Sequence, residues 1–319
     1  IPTLEKLSRD SFDYSRYRAG YFLLASVCKT IWNNFLFLQL VVACFSNIVI
    51  FNFIWKRSAS PFLVILIYFI LNYLEFNFEI MREVTAVSSA LLAVDLFEKK
   101  KYIHACVWAV IANLMHASAI VVVLFPILSF IKYSKTTILI SVILAFSIFS
   151  IYQIVPDLSF YADLIFGYGD YGNRYLNRDI SQDYNYHYYI LHFLRYFIIP
   201  ILALIITKDN FRYAGYIVTW MIFGLLSITS YAFYRFNNYL SPFVWILYAE
   251  AVGIIVKKQK VNKVLMMAMT ITAFLYIYQR TLLSIDDYHG GYRIYERYFP
   301  YDMVGPNQDY NHDQSQYII

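Results

Sequence analysis

Charge is scarce in this sequence. Only 15% of its 319 residues are Asp, Glu, Lys or Arg, and 60% are apolar. A soluble domain carries about a quarter charged and about half apolar residues, so a soluble globular fold is excluded. Cysteine is scarce too. Cys28, Cys44 and Cys106 are scattered and form neither a disulfide framework nor a metal-type spacing. There is no phosphate-cradling glycine loop, no HExxH and no Gly-x-Ser-x-Gly. His187 and His192 are five apart and His289 stands alone, so no metal cluster is indicated. No signal peptide is visible at the polar opening "IPTLEKLSRD". The net charge of +5 is no nucleic-acid signal, because it comes from short basic loops.

What is present is long uncharged runs such as "FLFLQLVVACFSNIVIFNFIW" (35–55). About 20 apolar residues match a bilayer core of about 30 Å. The pattern predicts an all-α, polytopic membrane bundle with about ten spans: 35–55, 61–75, 82–97, 102–116, 117–131, 137–155, 188–207, 214–230, 239–256 and 264–283. Residues 21–32 are too short to cross and read as an interfacial helix. Alternate loops differ in charge. Lys56-Arg57, Lys99 to Lys101, Lys132 with Lys135, Lys208 with Arg212, and "KKQKVNK" (257–263) are basic and almost free of acids. The positive-inside rule makes them cytoplasmic. Residues 1–34, loop 156–187 and tail 284–319 then face outside, flanking a transmembrane domain 35–283.

Four polar residues fall on that outer side. Arg82 opens a span. His116 ends one span and begins the next. Arg235 lies in the turn between two spans, in "SYAFYRFNNYLSPF", and Asp13 precedes the first span. The segments 102–115 and 82–97 are short, about 21 and 24 Å at about 1.5 Å per residue, which recesses His116 and Arg82 below the outer surface. Charged groups at such depth face a bundle interior or a wet cavity and mark function. Plainer roles exist. Arg82 can pair with Glu79 on the same helix face. His116 can bond a free carbonyl at a helix end, and Arg235 can be an interfacial anchor. The Ser88-Ser89 pair reads as a small-residue packing contact.

Tyrosine crowds the outer segments. Residues 156–189 hold eight and 288–319 hold seven. An aromatic belt at the headgroups accounts for some of them. Their interleaving with Gly, Asp, Asn and Arg also suits sugar rings, which offer an apolar face and a rim of hydroxyls.

Residues 80–128 resemble the EpsG family of Wzy-type polysaccharide polymerases. Its pattern is an Arg opening a span, a cytoplasmic Lys-rich turn, then a His, a small-residue step and an apolar run. Here that is "MREVTAVSSALLAVDLFEKKKYIHACVWAVIANLMHASAIVVVLF". "FDYSRY" near the start, "RFNNYLSPF" and "YFPY" (298–301) resemble it further. The family carries an acidic residue and a proline before its early Gly-Tyr, where this chain has Arg18 and Ala19. Its first span precedes the Asp-Tyr motif, so the full chain is expected to hold an eleventh span.

The resemblance implies a glycosyltransferase, glycosyltransferase-C-like in architecture, in the bacterial cytoplasmic membrane with its active site outside. It would join oligosaccharide repeats carried on undecaprenyl pyrophosphate into O-antigen, capsule or exopolysaccharide. Arg82 and Arg235 would hold the pyrophosphate, since guanidinium grips phosphate bidentately. His116 would be the base, or would orient the acceptor, with Asp13 the rival base. Tyr14, Tyr17, Asp170, Tyr171, Arg174, Tyr298 and Tyr301 would bind sugar. No cofactor is implied, and no metal is demanded, because arginines can neutralise the leaving group. Membrane lipid and a chain-length regulator are further candidate partners. A flippase for lipid-linked sugars, a membrane acyltransferase and a structural membrane component are the rival readings. A flippase would want polar residues at mid-depth in several spans.

Overall fold

The computed structural model describes residues 1–8, 18–132, 186–207, 212–227 and 231–259, with isolated positions beyond these. The chain divides into two compact units, Ile1–Asn262 and Lys263–Ile319. In the second unit the described elements are two short antiparallel strands, Ile285–Asp286 and Tyr292–Arg293.

The first unit is a helical membrane bundle. Its helices are α1 (Ala19–Ile31), α2 (Phe35–Arg57), α3 (Pro61–Leu71), α4 (Met81–Glu98), α5 (Tyr102–Met115), α6 (Phe125–Leu128), α7 (Tyr186–Phe193), α8 (Ile199–Thr207), α9 (Ala214–Leu226) and α10 (Tyr231–Gln259). Among the described residues, three stretches are long and apolar enough to cross a bilayer: Phe35–Arg57, Ile190–Thr207 and Ala232–Lys257. The expected spans 137–155 and 264–283 and loop 156–187 fall almost wholly outside the described residues.

Local chemistry sets the ends. The Asn34 side chain caps α2, accepting from the Leu36 amide at 2.9 Å. Pro61 starts α3, where its missing N–H costs nothing. The α4–α5 hairpin closes with Lys100 at φ 60. The Lys101 amide reaches back to Leu96 O and the Lys100 amide to Phe97 O, each at 2.9 Å, which satisfies the last carbonyls of α4.

Several expected spans are not simple α-helices. The segment after α3 turns into a π-helix, Glu75–Glu79. A second π-helix, Leu194–Ile198, joins α7 to α8. Residues 117–124 form a 3-10 helix ahead of α6. Composition alone does not separate these tighter or wider windings from α-helix, because side-chain hydropathy says little about hydrogen-bond register.

α10 is the hub. It touches α2, α3, α4, the 117–124 segment, α8 and α9, and Tyr239, Leu240, Phe243, Ile246 and Leu247 are buried completely. Its start is earlier than the charge pattern suggests, so Arg235 sits on a helix and not in a turn. Pro242 interrupts its ladder, releasing the carbonyl four residues back, that of Asn238.

Several polar side chains inside the bundle pair with one another, which suits a bilayer. Asn47 donates to Asn77 Oδ1 at 2.7 Å, Asn77 donates to the Tyr68 hydroxyl at 3.1 Å, and Tyr68 donates to Asn47 Oδ1 at 3.1 Å. This closed ring ties α2, α3 and the first π-helix together. Trp245 Nε1 donates to Asn72 Oδ1 at 3.0 Å, tying α10 to the end of α3. Glycine permits one tight crossing. A Cβ at Gly224 would overlap the Tyr196 ring of the second π-helix.

The basic end of the bundle is cross-linked by charge. Arg57 Nη2 contacts Asp95 Oδ1 at 3.1 Å and Glu98 Oε2 at 2.6 Å, Lys99 reaches Asp95 at 2.7 Å, and Arg212 reaches Glu98 at 2.5 Å. Arg57 also lies over the Phe53 ring, 4.1 Å from its centre. The ends of α2, α4 and the turn into α9 are thereby joined.

Candidate functional site

The opposite end of α4 begins Arg82-Glu83, thirteen residues before Asp95 and so about 20 Å away along the helix. Glu83 is fully buried. It is paired with Arg235 of α10, whose Nη1 donates to Glu83 Oε2. Asn238, one turn further along α10, donates to Glu83 Oε1 at 2.9 Å. Both carboxylate oxygens are thus engaged. Burying a carboxylate is tolerable only with such pairing. Tyr234, beside Arg235, donates to Glu75 Oε1 at 2.7 Å. Hence one turn of α10 binds both the π-helix and α4.

The same α10 turn reaches the histidine. His116 is the residue between α5 and the 3-10 segment, in extended conformation. Its Nδ1 accepts from the Ser118 amide at 3.3 Å, capping that segment, and lies 2.6 Å from Ser118 Oγ. Ser118 Oγ lies 3.2 Å from the Tyr239 hydroxyl. His116 is half-buried, whereas Ser118 and Tyr239 are buried.

Three guanidiniums lie within electrostatic reach of this point. Arg235, Arg82 and Arg18 each act electrostatically on His116. Arg18 arrives through α1, whose first turn presses on the end of α5. A Cβ at Gly20 would stand 2.9 Å from both Leu114 Cβ and Leu114 O, so only glycine permits this approach. The helix that carries Arg18 is thereby seated two residues from His116.

Of the sequence-predicted residues, the structure brings together Arg82, His116 and Arg235. Asp13, Tyr14, Tyr17, Asp170, Tyr171, Arg174, Tyr298 and Tyr301 lie outside the described residues. Sequence reading missed Arg18, Glu83, Glu75, Ser118, Asn238 and Tyr239. Glu83 had a signal, an acidic residue entering an apolar run. Arg82, its neighbour, drew the attention because the nearer acid for an i,i+3 pair is Glu79. Ser118 and Tyr239 had none, since 121 positions separate them.

Arg18, Arg82 and Arg235 lie within electrostatic reach of one imidazole, and on the same side Glu83 holds the Arg235 guanidinium while Glu75 lies within electrostatic reach of both. Guanidiniums held this way suit phosphate oxygens. The molecule is therefore a polytopic helical membrane protein with a polar site of arginines and glutamates around a histidine at one end of its described bundle. The EpsG family matches residues 3–303, nearly the whole chain, and the chain belongs to that family, a Wzy-like family of polysaccharide polymerases. No curated protein and no solved structure matches it.

Proposed function

We propose that this protein polymerises lipid-linked oligosaccharide repeats at the outer face of the bacterial cytoplasmic membrane. The growing chain leaves undecaprenyl pyrophosphate and passes to a hydroxyl of the next lipid-linked repeat. The observation that carries this reading is the convergence of Arg18, Arg82 and Arg235 on His116. The leaving group is a pyrophosphate, and guanidiniums, Arg235 held by Glu83 among them, can neutralise the charge that grows on it. Arg82 and Arg235 grip the phosphates, and Arg18 adds a third cation. His116 stands beside them and touches the reacting groups, while Asp13 is a candidate base. Tyr14, Tyr17, Asp170, Tyr171, Arg174, Tyr298 and Tyr301 are assigned to sugar binding. Residues 35–283 form the transmembrane domain in this reading, between outside segments 1–34 and 284–319. The basic end of the bundle, with Lys56, Arg57, Lys99 and Arg212, faces the cytoplasm by the positive-inside rule.

A deletion strain tests the proposal through its lipid-linked intermediates. Loss of a polymerase leaves single repeats on the outer face and no polymer. Repeats trapped on the inner face would mark a flippase, and full-length polymer lacking an acyl group would mark an acyltransferase. Either result overturns the reading.

A further inference from the structure

Among the described residues, the hydrogen bonds of the His116 ring all run through Nδ1. Two groups of Ser118 meet that atom, the hydroxyl at 2.6 Å and the backbone amide at 3.3 Å. The amide can only donate. It belongs to the first turn of the 3-10 segment, where no earlier carbonyl of the segment is available to it. The third group is the Tyr239 hydroxyl, 3.2 Å from Ser118 Oγ.

Two proton arrangements can be written for this chain of groups. In one, Nδ1 keeps its lone pair and accepts from both the amide and the hydroxyl of Ser118, while Tyr239 donates to Ser118 Oγ. The two hydroxyl protons are then satisfied, and the Ser118 amide shares the single Nδ1 lone pair at its longer distance. In the other, Nδ1 carries the proton and donates to Ser118 Oγ, whose own proton passes to Tyr239. The Ser118 amide then loses its acceptor. The Tyr239 proton has none among the described residues either. Ser118 is only 3% exposed and Tyr239 not at all, and donors so buried are almost always satisfied. The first arrangement prevails. A neutral imidazole whose lone pair is on Nδ1 carries its proton on Nε2.

We infer that Ser118 and Tyr239 hold His116 as the Nε2–H tautomer, so that the ring meets the substrate as a hydrogen-bond donor and not as the base. Ser118 and Tyr239 are positioning residues, acting through His116. The substrate assignment rests on the polymerase reading above; the tautomer does not. A donor set among Arg18, Arg82 and Arg235 faces an anion, and the anion of the reaction is the departing diphosphate. As transfer proceeds, the bond from the anomeric carbon to the phosphate oxygen breaks and its electron pair stays on that oxygen. The Nε2–H group donates to the oxygen as its charge grows. The acceptor hydroxyl forms the new carbon–oxygen bond, and its proton goes to a carboxylate.

The test uses the full chain in lipid bilayers with nitrogen-15 histidine. The His116 signals are assigned by their loss in His116→Gln. The wild-type spectrum should show a protonated Nε2 and a bare Nδ1; a protonated Nδ1 overturns the inference. Ser118→Ala removes the shorter of the two donors and the link to Tyr239, so the Nδ1–H population should rise. An unchanged spectrum overturns the positioning role. Polymer formation from lipid-linked repeats then tests the donor role. A glutamine amide nitrogen reaches about where Nε2 stood, whereas an asparagine amide reaches only the Nδ1 position. Removing a preorganised donor at developing charge costs about 100-fold or more. His116→Asn should lose that much, and His116→Gln should stay within about 10-fold of wild type on the same scale. Equal loss in both overturns the donor role. Wild-type protein that forms no polymer defeats the polymerase reading and leaves the tautomer result intact.

Discussion

Glu83 and Arg235 depend on each other inside the bundle. Removing one partner of a buried pair strands the other charge and costs about 3–5 kcal/mol. Glu83→Ala should therefore lower thermal stability sharply in detergent. The double variant Glu83→Ala with Arg235→Met should recover much of that stability and still make no polymer. A stable Glu83→Ala protein with normal polymer would mean that the pair neither supports the fold nor orients Arg235. Arg82→Lys and Arg235→Lys separate shape from charge, since a lysine ammonium cannot form the planar fork of a guanidinium. Both should lose most polymer at normal protein levels; full activity in both would reduce the arginines to diffuse charge or membrane anchors. The residues that break the apolar pattern were legible in sequence: Arg82, His116 and Arg235 are each the wrong chemistry for a lipid-facing position. What holds them was not. Glu83 reads as an ordinary neighbour of Arg82 until α10 is laid against it. Ser118 and Tyr239 are small-residue and aromatic positions like many others here, and only their meeting across the bundle gives them a role.

At the level of elements, the site is assembled from ends. α1 and α4 begin there, α5 finishes there, and the first turns of α10 close it. The alignment of these ends depends on close approach, most visibly at Gly20 against Leu114. Gly20→Val should push α1 away from α5 and carry Arg18 off the anion site. The expected result is inserted, folded protein whose polymer yield falls about as far as in Arg18→Ala, roughly 10-fold for one charge-assisted contact. Normal polymer from Gly20→Val would show that Arg18 is not needed at its present place. Helical spans were readable here because twenty-residue apolar runs have few alternatives in a bilayer. The π-helices and the 3-10 segment were not, because they come from packing. Tyr68 and Asn47 take hold of Asn77 in the first π-helix, and the missing Cβ of Gly224 admits Tyr196 in the second. The start of α10 was misplaced for a related reason: polar residues at 235, 237 and 238 look like a turn until Glu83 and Asn238 are seen to satisfy each other.

At the largest scale, the described bundle has two polar ends of different character. One is a lattice of paired Lys, Arg, Asp and Glu around Asp95 and Glu98; the other sets Arg18, Arg82 and Arg235 about a histidine, beside Glu75 and the buried Glu83. Their assignment to opposite sides of the membrane can be checked directly. In a chain whose Cys28, Cys44 and Cys106 are replaced by serine, a cysteine at Ser181 should react with an impermeant thiol reagent on intact cells, and one at Ser134 should not. The reverse pattern would put Arg82 and His116 in the cytoplasm. The shortness of α5, 14 residues or about 21 Å, has a mechanical meaning as well. A helix well short of the hydrocarbon thickness makes nearby lipid thin or tilt, at a fraction of a kcal/mol per ångström. On the proposed reading, a bilayer dimpled beside α5 would let a carrier's head group meet the arginines with its tail still dissolved in lipid. The elasticity of the surrounding membrane then enters the reaction barrier. Purified protein should polymerise more slowly as the acyl chains of its vesicles are lengthened, and the slowing should be greater than any change in thermal stability.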